Sequence, residues 1–155
     1  MNRLDVSNVI SFNWKASVNS SEVLLSLPST VTGLIVSENS CNDLTELNLS
    51  RFEMLKSFEV KPNALRNVKN LTMNGLNGLV EFEVGNGGLN GVETVSIGSN
   101  SLNSLSSFDF SPLSSVRRIE IGSKSMNSVV DVTANRLSML ENVRIEDESL
   151  KNTTK

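Results

Sequence analysis

Three glutamates, Glu59, Glu83 and Glu120, each stand one residue before the end of a short apolar-polar-apolar segment. Paired carboxylates are the groups with which glycoside hydrolases protonate the leaving oxygen and activate a water or attack the sugar. The same place in a half-buried strand is also an outward one, where charge maintains solubility. Because no neighbouring sequence supplies a pocket, we interpret the three as outward strand residues and predict no catalytic residue.

Other residue types that catalyse reactions or bind metals are scarce. The chain has no histidine and one cysteine, Cys41. Histidine is the usual general base and the commonest metal ligand, and a single cysteine excludes an internal disulfide and the usual structural zinc sites. We therefore expect a non-enzymatic protein with no metal site and no cofactor. An enzyme built on a β-helix, such as a polysaccharide lyase or hydrolase, is the minor alternative.

The remaining candidate sites have simpler structural interpretations. The segments 85–88 and 122–125 superficially resemble phosphate-binding loops, but neither fits the spacing of a P-loop or a dinucleotide-binding motif, so we predict turns. We interpret Cys41 and Trp14 as core residues and the Arg117-Arg118 pair as solvated.

The composition indicates one globular domain. The 155 residues are 38% apolar and 20% charged, with a net charge of −3. Without a basic stripe we expect no nucleic acid partner. No apolar run approaches the ~20 residues that cross a bilayer, so we expect no membrane insertion. The N-terminus is not a signal peptide. The compartment is undetermined; the cytoplasm is weakly favoured, and the cell surface would fit if the chain is a fragment.

These residues are placed by a repeat of 24 residues that runs through most of the chain. Its unequal halves of 11 and 13 residues end at Leu25, Val36, Leu49, Val60, Met73, Val84, Ile97, Phe110, Ile121, Ala134 and Ile145. A fixed period in this range is typical of a solenoid, in which each turn buries its apolar face against its neighbours.

Each half ends in alternating apolar and polar residues, which predicts a short strand with one buried face. Upstream, apolar residues recur every three positions, as at Leu102, Leu105 and Phe108. That spacing drifts off the helical period. We therefore predict a mostly β fold of short parallel strands in about five rungs, with little or no helix. The fourth position after the strand end is always small, which indicates an inward corner: Ser40, Ala64, Gly88, Ser101, Ser125 and Ser149.

The repeat resembles the leucine-rich repeat family. The hallmark LxxLxLxxNxL is matched by residues 55–65, 92–102 and 31–41. The serine-rich form looks most like the arrays of unicellular eukaryotes and BspA-like surface proteins. The resemblance implies a right-handed solenoid or horseshoe whose corner asparagine hydrogen-bonds between rungs. Gly87, Lys124 and Glu148 replace that asparagine, so we expect the hydrogen-bond ladder to break there.

The alternation fails once, because two long halves follow each other at 84–97 and 97–110. If the chain winds on without a break, Glu59 and Glu83 lie on the opposite sheet from Glu120. If residues 84–97 loop out, all three glutamates share one sheet. The sequence is compatible with both.

The ends of the array fit the pattern poorly. We predict an irregular cap over residues 1–24, with Phe12, Trp14, Val18 and Val23 as its core, because the terminal edges of a solenoid are exposed. The solenoid spans 25–150 and a polar tail 151–155. Without a C-terminal cap, either the array is cut from a longer one or charge protects its last edge.

We predict a protein-binding module that displays outward residues on a rigid repeat surface. A structural or adhesin-type segment that self-associates end to end is the alternative. The residues predicted to contact a protein partner are Lys56, Ser57, Glu59, Glu81, Glu83, Arg117, Arg118, Glu120, Glu141, Asn142 and Arg144.

Overall fold

The computed structural model describes residues 14–153. They form eleven strands and one short helix. The strands are β1 (Lys15–Val18), β2 (Gly33–Val36), β3 (Glu46–Asn48), β4 (Ser57–Val60), β5 (Asn70–Met73), β6 (Glu81–Val84), β7 (Thr94–Ile97), β8 (Ser107–Asp109), β9 (Arg118–Ile121), β10 (Asp131–Thr133) and β11 (Asn142–Ile145), and the helix is α1 (Ser21–Ser26).

The strands pair in parallel and form a β-solenoid of about five turns. Sheet I has the order β1-β2-β4-β6, sheet II the order β11-β9-β7-β5-β3, and sheet III contains only β8 and β10. Successive strands alternate between the two sides of the core, so the chain winds on without a break at 84–110. The predicted fold class is confirmed, and of the two windings the sequence allowed, the unbroken one is present.

Alternation of side chains within each strand builds the core. In β4, Phe58 and Val60 are buried, whereas Ser57 and Glu59 face outward. Phenylalanines from successive rungs stack inside: the ring centroids of Phe58 and Phe82 are 5.5 Å apart, and those of Phe82 and Phe108 are 4.9 Å apart. Cys41 is 4% exposed, which confirms it as a core residue.

The long-half corners share a backbone conformation with two left-handed residues. Asn63 and Leu65 have φ angles of 60° and 56°, and Lys124 has a φ of 58°. The backbone N–H of the first left-handed residue, not its side chain, donates to the next rung: Asn63 N to Asn86 O (3.0 Å) and Lys124 N to Asp147 O (3.1 Å). Asparagine is favoured there because it tolerates positive φ. The expected break in the ladder at Lys124 is therefore wrong.

The irregularity at 84–110 interrupts one side of the solenoid. A long-half corner follows β6, whereas a short-half corner follows β8, so the two corners do not stack. The Gly85 N–H donates to Val60 O at 2.7 Å, but the equivalent Ser111 N–H bonds Asp109 Oδ1 at 2.8 Å instead. Consequently β6 and β8 are not paired, and sheets I and III are separate.

Sheet II continues past the irregularity because Gly75 adapts its backbone. Gly75 has a φ of 74°. Its N–H donates to Ser101 Oγ at 2.7 Å, and its carbonyl accepts from the Leu102 N–H at 2.9 Å. The glycine thus joins a short-half corner to the long-half corner of the next rung.

The helix α1 occupies the half-turn in which a strand was expected to end at Leu25. Ser20 caps it by accepting from the Val23 N–H, and Leu24 rather than Leu25 enters the core. Leu25 is 64% exposed, so a strand end there is wrong. The three-residue apolar spacing misled the prediction, because tertiary packing of Leu24 favours helix here.

The predicted cap core is only partly present. Val18 is buried in β1, which extends sheet I beyond β2, but Trp14 and Val23 are 40% and 42% exposed. The prediction that these two pack in the core is wrong, because each lies on the outer side of its element. Phe12 lies outside the described residues.

The last rung of the described chain exposes its apolar side chains. Within sheet II, Ile121 on β9 is 3% exposed, whereas its register partner Ile145 on β11 is 49% exposed. The repeat predicts the same inward side for both, but burial requires a further rung. The exposed apolar residues of this rung are Val130, Val132, Met139, Val143 and Ile145.

Candidate functional site

Sheet II presents two straight rows of outward side chains across five strands. The register of the strands aligns Glu46, Asn70, Thr94, Arg118 and Asn142 in one row, and Asn48, Thr72, Ser96, Glu120 and Arg144 in the other. Neighbouring strands are about 4.8 Å apart. Because the sheet is continuous and backed by the core, these side chains hold fixed spacings.

A shallow groove of about 390 Å³ runs along the carboxyl ends of the sheet II strands. Glycines form its floor: a Cβ on Gly98 would lie 2.4 Å from Asn74 Oδ1, and one on Gly122 would lie 2.6 Å from the Ser99 nitrogen. The polar side chains that line it are Thr72, Asn74, Ser96, Ser99, Glu120, Arg144 and Glu146. The groove can accept hydrogen bonds from a ligand and donate them to it.

Ion pairs order one end of this groove. Arg144 Nη2 lies 3.2 Å from Glu146 Oε1, and Glu146 accepts a hydrogen bond from the Ser123 N–H at 3.2 Å. On the amino-terminal side of the same strands, Arg117 Nη1 lies 2.8 Å from Glu141 Oε1 of the next rung. These pairs are exposed, so they contribute little stability, but they leave charged side chains in defined places.

The opposite side of the solenoid is acidic. Glu59 and Glu83 lie in register on β4 and β6, and Asp109 follows on β8. Lys61 Nζ lies 2.8 Å from Glu59 Oε2, and this hydrogen bond and charge raise the pKa of Lys61 above its ordinary value.

The interruption between β6 and β8 opens a cleft of about 700 Å³ on the acidic side. Its walls are the corner after β6 and the corner after β8, and Arg136 reaches it from the next rung. The Gly87 N–H faces this region without an acceptor among residues 14–153, whereas the equivalent Asn63 N–H bonds the next rung. An adjoining cavity of about 400 Å³ places Glu83 beside Asp109.

The predicted partner residues do not form one surface. Lys56, Ser57, Glu59, Glu81 and Glu83 lie on or beside sheet I strands; Arg117, Arg118, Glu120, Glu141, Asn142 and Arg144 lie on or beside sheet II strands. All are at least partly exposed, and Glu59, Glu83 and Glu120 are outward strand residues as interpreted. The three glutamates cannot converge on one ligand.

Two hydrogen-bonded ladders were missed by the sequence analysis. In one, asparagines from successive rungs connect: Asn103 N donates to Asn77 Oδ1 at 3.0 Å, and Asn127 N to Asn103 Oδ1 at 2.9 Å. Their position directly after the second left-handed corner residue is a signal that the sequence contained.

The other ladder uses the small inward residues. Ser101 N donates to Ser125 Oγ at 3.0 Å, and Ser125 Oγ donates to Gly98 O at 2.6 Å. The inward corner was predicted correctly, since Ser101 and Ser125 are fully buried. The bonds that their hydroxyls make between rungs were not predicted.

The described residues contain no further chemical centre. Within them, no group of three or more His, Cys, Asp and Glu side chains is arranged to hold a metal ion. The helix α1, with six residues, is too short to cross a membrane, and residues 14–153 contain no other helix. No protein-family model, curated protein or solved structure matches the chain.

Proposed function

We propose that this chain is a non-enzymatic protein-recognition module of the leucine-rich-repeat type. The observation that carries the proposal is the uninterrupted sheet II, whose two rows of outward side chains keep fixed spacings over five strands. Such a surface recognises a partner through shape and polar contacts without ordering any loop on binding. The repeat-family assignment rests on the hallmark spacing and on the left-handed corner at Asn63 and Leu65.

We place the partner surface on sheet II. It carries both signs of charge, on Arg118, Glu120 and Arg144, next to neutral hydroxyls on Thr72 and Ser96. Mixed charge on a rigid scaffold favours specificity, because a wrong partner meets like charges. The acidic side is divided by the cleft between β6 and β8 and offers no continuous row of comparable length.

The test is affinity capture with charge-swapped baits of unchanged net charge. The sheet II variant combines Arg118→Glu with Glu120→Lys, and the matched sheet I variant combines Glu59→Lys with Lys61→Glu. We expect a partner that is retained by the native chain and by the sheet I variant and is lost by the sheet II variant. Equal capture by all three chains would refute the assignment of the surface.

A second candidate function is a structural or adhesin-type segment that self-associates end to end. The exposed apolar side chains of the last described rung favour it, since Val143 and Ile145 are 50% and 49% exposed. Light scattering tests it: a mass that rises with protein concentration supports it, and a strict monomer contradicts it.

A further inference from the structure

The rung that contains β10 and β11, residues 130–145, has the features of an interface. We call it the open rung. Each of its strands has only one hydrogen-bonded neighbour, β8 for β10 and β9 for β11. The apolar side chains that the repeat directs inward are exposed here, including Val132 and Ile145. Two unpaired strand edges beside an apolar patch form a template for another strand.

The other end of the solenoid is not equivalent. There, the half-turn before β3 is a helix, and Leu24 of α1 packs in the core. Arg51 donates to the carbonyl oxygens of Leu27 (2.6 Å) and Leu24 (3.1 Å), and Ser21 hydrogen-bonds Asp43. A helix cannot extend a sheet, so this end offers no pair of strand edges like those of the open rung.

The sequence of β11 and the residues after it is complementary to itself in an antiparallel pair. If a two-fold axis passes through Ile145, that residue faces its own copy, and Arg144 faces Glu146 of the second chain. The arrangement creates two opposite-charge pairs on the outer face and an isoleucine pair toward the core. The same axis, perpendicular to the sheets, brings β10 onto its own copy on the other side.

We propose that two copies of this chain associate tail to tail through the open rung. In this two-fold dimer β11 pairs antiparallel with β11 of the second copy, and Val132, Val143 and Ile145 become buried. An interface of this kind closes on itself, so assembly stops at two copies. The proposal deepens the second candidate function and is independent of recognition by the outer face of sheet II.

The first experiment measures the solution mass of the full chain by sedimentation equilibrium over a range of concentrations. We expect the mass to rise from 16.9 kDa toward twice that value and to stop there. Ile145→Lys should abolish the rise, because an edge lysine opposes strand pairing. The matched control is Leu25→Lys, which changes an equally accessible apolar residue at the other end and should still dimerise.

Two results would overturn the proposal. A native chain that stays monomeric at every concentration refutes both the dimer and end-to-end association. A mass that grows beyond two copies and is reduced by Leu25→Lys refutes tail-to-tail pairing while leaving head-to-tail association, and thus the second candidate function, intact. The sheet II charge swap Arg118→Glu with Glu120→Lys should not change the mass.

A charge-swap experiment tests the register without disturbing the core. Arg144→Glu alone and Glu146→Arg alone each place like charges opposite each other across the two-fold axis, so each should weaken self-association by at least about tenfold. An equimolar mixture of the two variants restores opposite charges in every cross-chain pair and should recover the dimer mass. If Arg144 and Glu146 act only within one chain, where they form an ion pair at 3.2 Å, mixing restores nothing and this register is wrong.

Discussion

Buried hydroxyl groups, as well as apolar side chains, connect successive rungs at the corners. Ser125 is fully buried, and its hydroxyl accepts from the Ser101 N–H and donates to the Gly98 carbonyl. The corner needs a small residue for space, but serine also satisfies backbone groups that no strand partner reaches. Polar residues are therefore retained in a core that otherwise selects leucine, valine and isoleucine.

Replacing Ser125 with alanine should destabilise the chain more than its small change in volume implies. The substitution leaves the Ser101 N–H and the Gly98 C=O buried without their partner, which costs about 1–3 kcal/mol. Urea unfolding followed by circular dichroism measures the difference. Ser114→Ala changes an exposed hydroxyl and should stay within about 0.5 kcal/mol of the native chain. Equal effects of the two substitutions would contradict the role of the ladder.

The thiol of Cys41 should make stability fall in alkaline solution. Burial raises the pKa of this thiol above its ordinary value of 9.0. The folded chain thus favours the neutral thiol, so its contribution is fully present below the unfolded pKa and is lost as pH rises through the folded pKa. Urea midpoints at about pH 7 and about pH 9.5 bracket the onset of ionisation. We expect the native chain to lose more stability than Cys41→Ala; parallel losses would contradict it.

At the scale of the strands, the mismatch between two kinds of corner decides where pairing stops. The corner after β6 uses left-handed backbone at Gly87, whereas the corner after β8 bonds Ser111 to Asp109 within its own turn. Apolar packing continues across the gap, since the Phe82 and Phe108 rings are stacked. Backbone hydrogen bonding and side-chain stacking are therefore separable in this solenoid.

Hydrogen exchange should detect the unpaired edge of β6. In this parallel ladder Glu81 bonds backward to Lys56, so the alternate residues Phe82 and Val84 direct their N–H groups toward β8. We expect these two amides to exchange at least about tenfold faster than Phe58 and Val60, their register partners in β4. Native-state exchange by NMR measures this. Equal protection of the two strands would mean that β6 and β8 pair in solution.

The positions of the strands could be predicted from the repeat, but two features could not. Each strand requires only its own alternation, so β4, β7 and β9 follow from local sequence. The winding at 84–110 was ambiguous, because both paths satisfy the same local pattern and only continuous burial of the rungs distinguishes them. The helix α1 was missed because its stability comes from packing Leu24 against the solenoid, which no local period indicates.

The candidate surface could be predicted only in part, for the same physical reason. The outward phase of Glu59, Glu83 and Glu120 follows from alternation within a strand. Their division between two sides of the molecule depends on how many half-turns separate them, and the irregularity changes that number. Local sequence thus predicts which residues are displayed, whereas the topology of the whole chain decides which are displayed together.

At the scale of the whole molecule, stability depends on position along the stack, because each rung is covered only by its neighbours. Ile121 and Ile145 are partners in register on β9 and β11, but they are 3% and 49% exposed. Ile121→Ala should cost about 2–5 kcal/mol. Ile145→Ala removes the same atoms from a half-exposed site and should cost under about 1.5 kcal/mol in dilute solution.

Protein concentration links this pair of substitutions to the open rung. If two copies bury Ile145 against each other, association stabilises the native chain by mass action, and Ile145→Ala loses that added stability. The cost of Ile145→Ala should therefore increase when unfolding is measured at high protein concentration, while the cost of Ile121→Ala rises much less. A cost of Ile145→Ala that is the same at both concentrations would contradict burial of the open rung by a second copy.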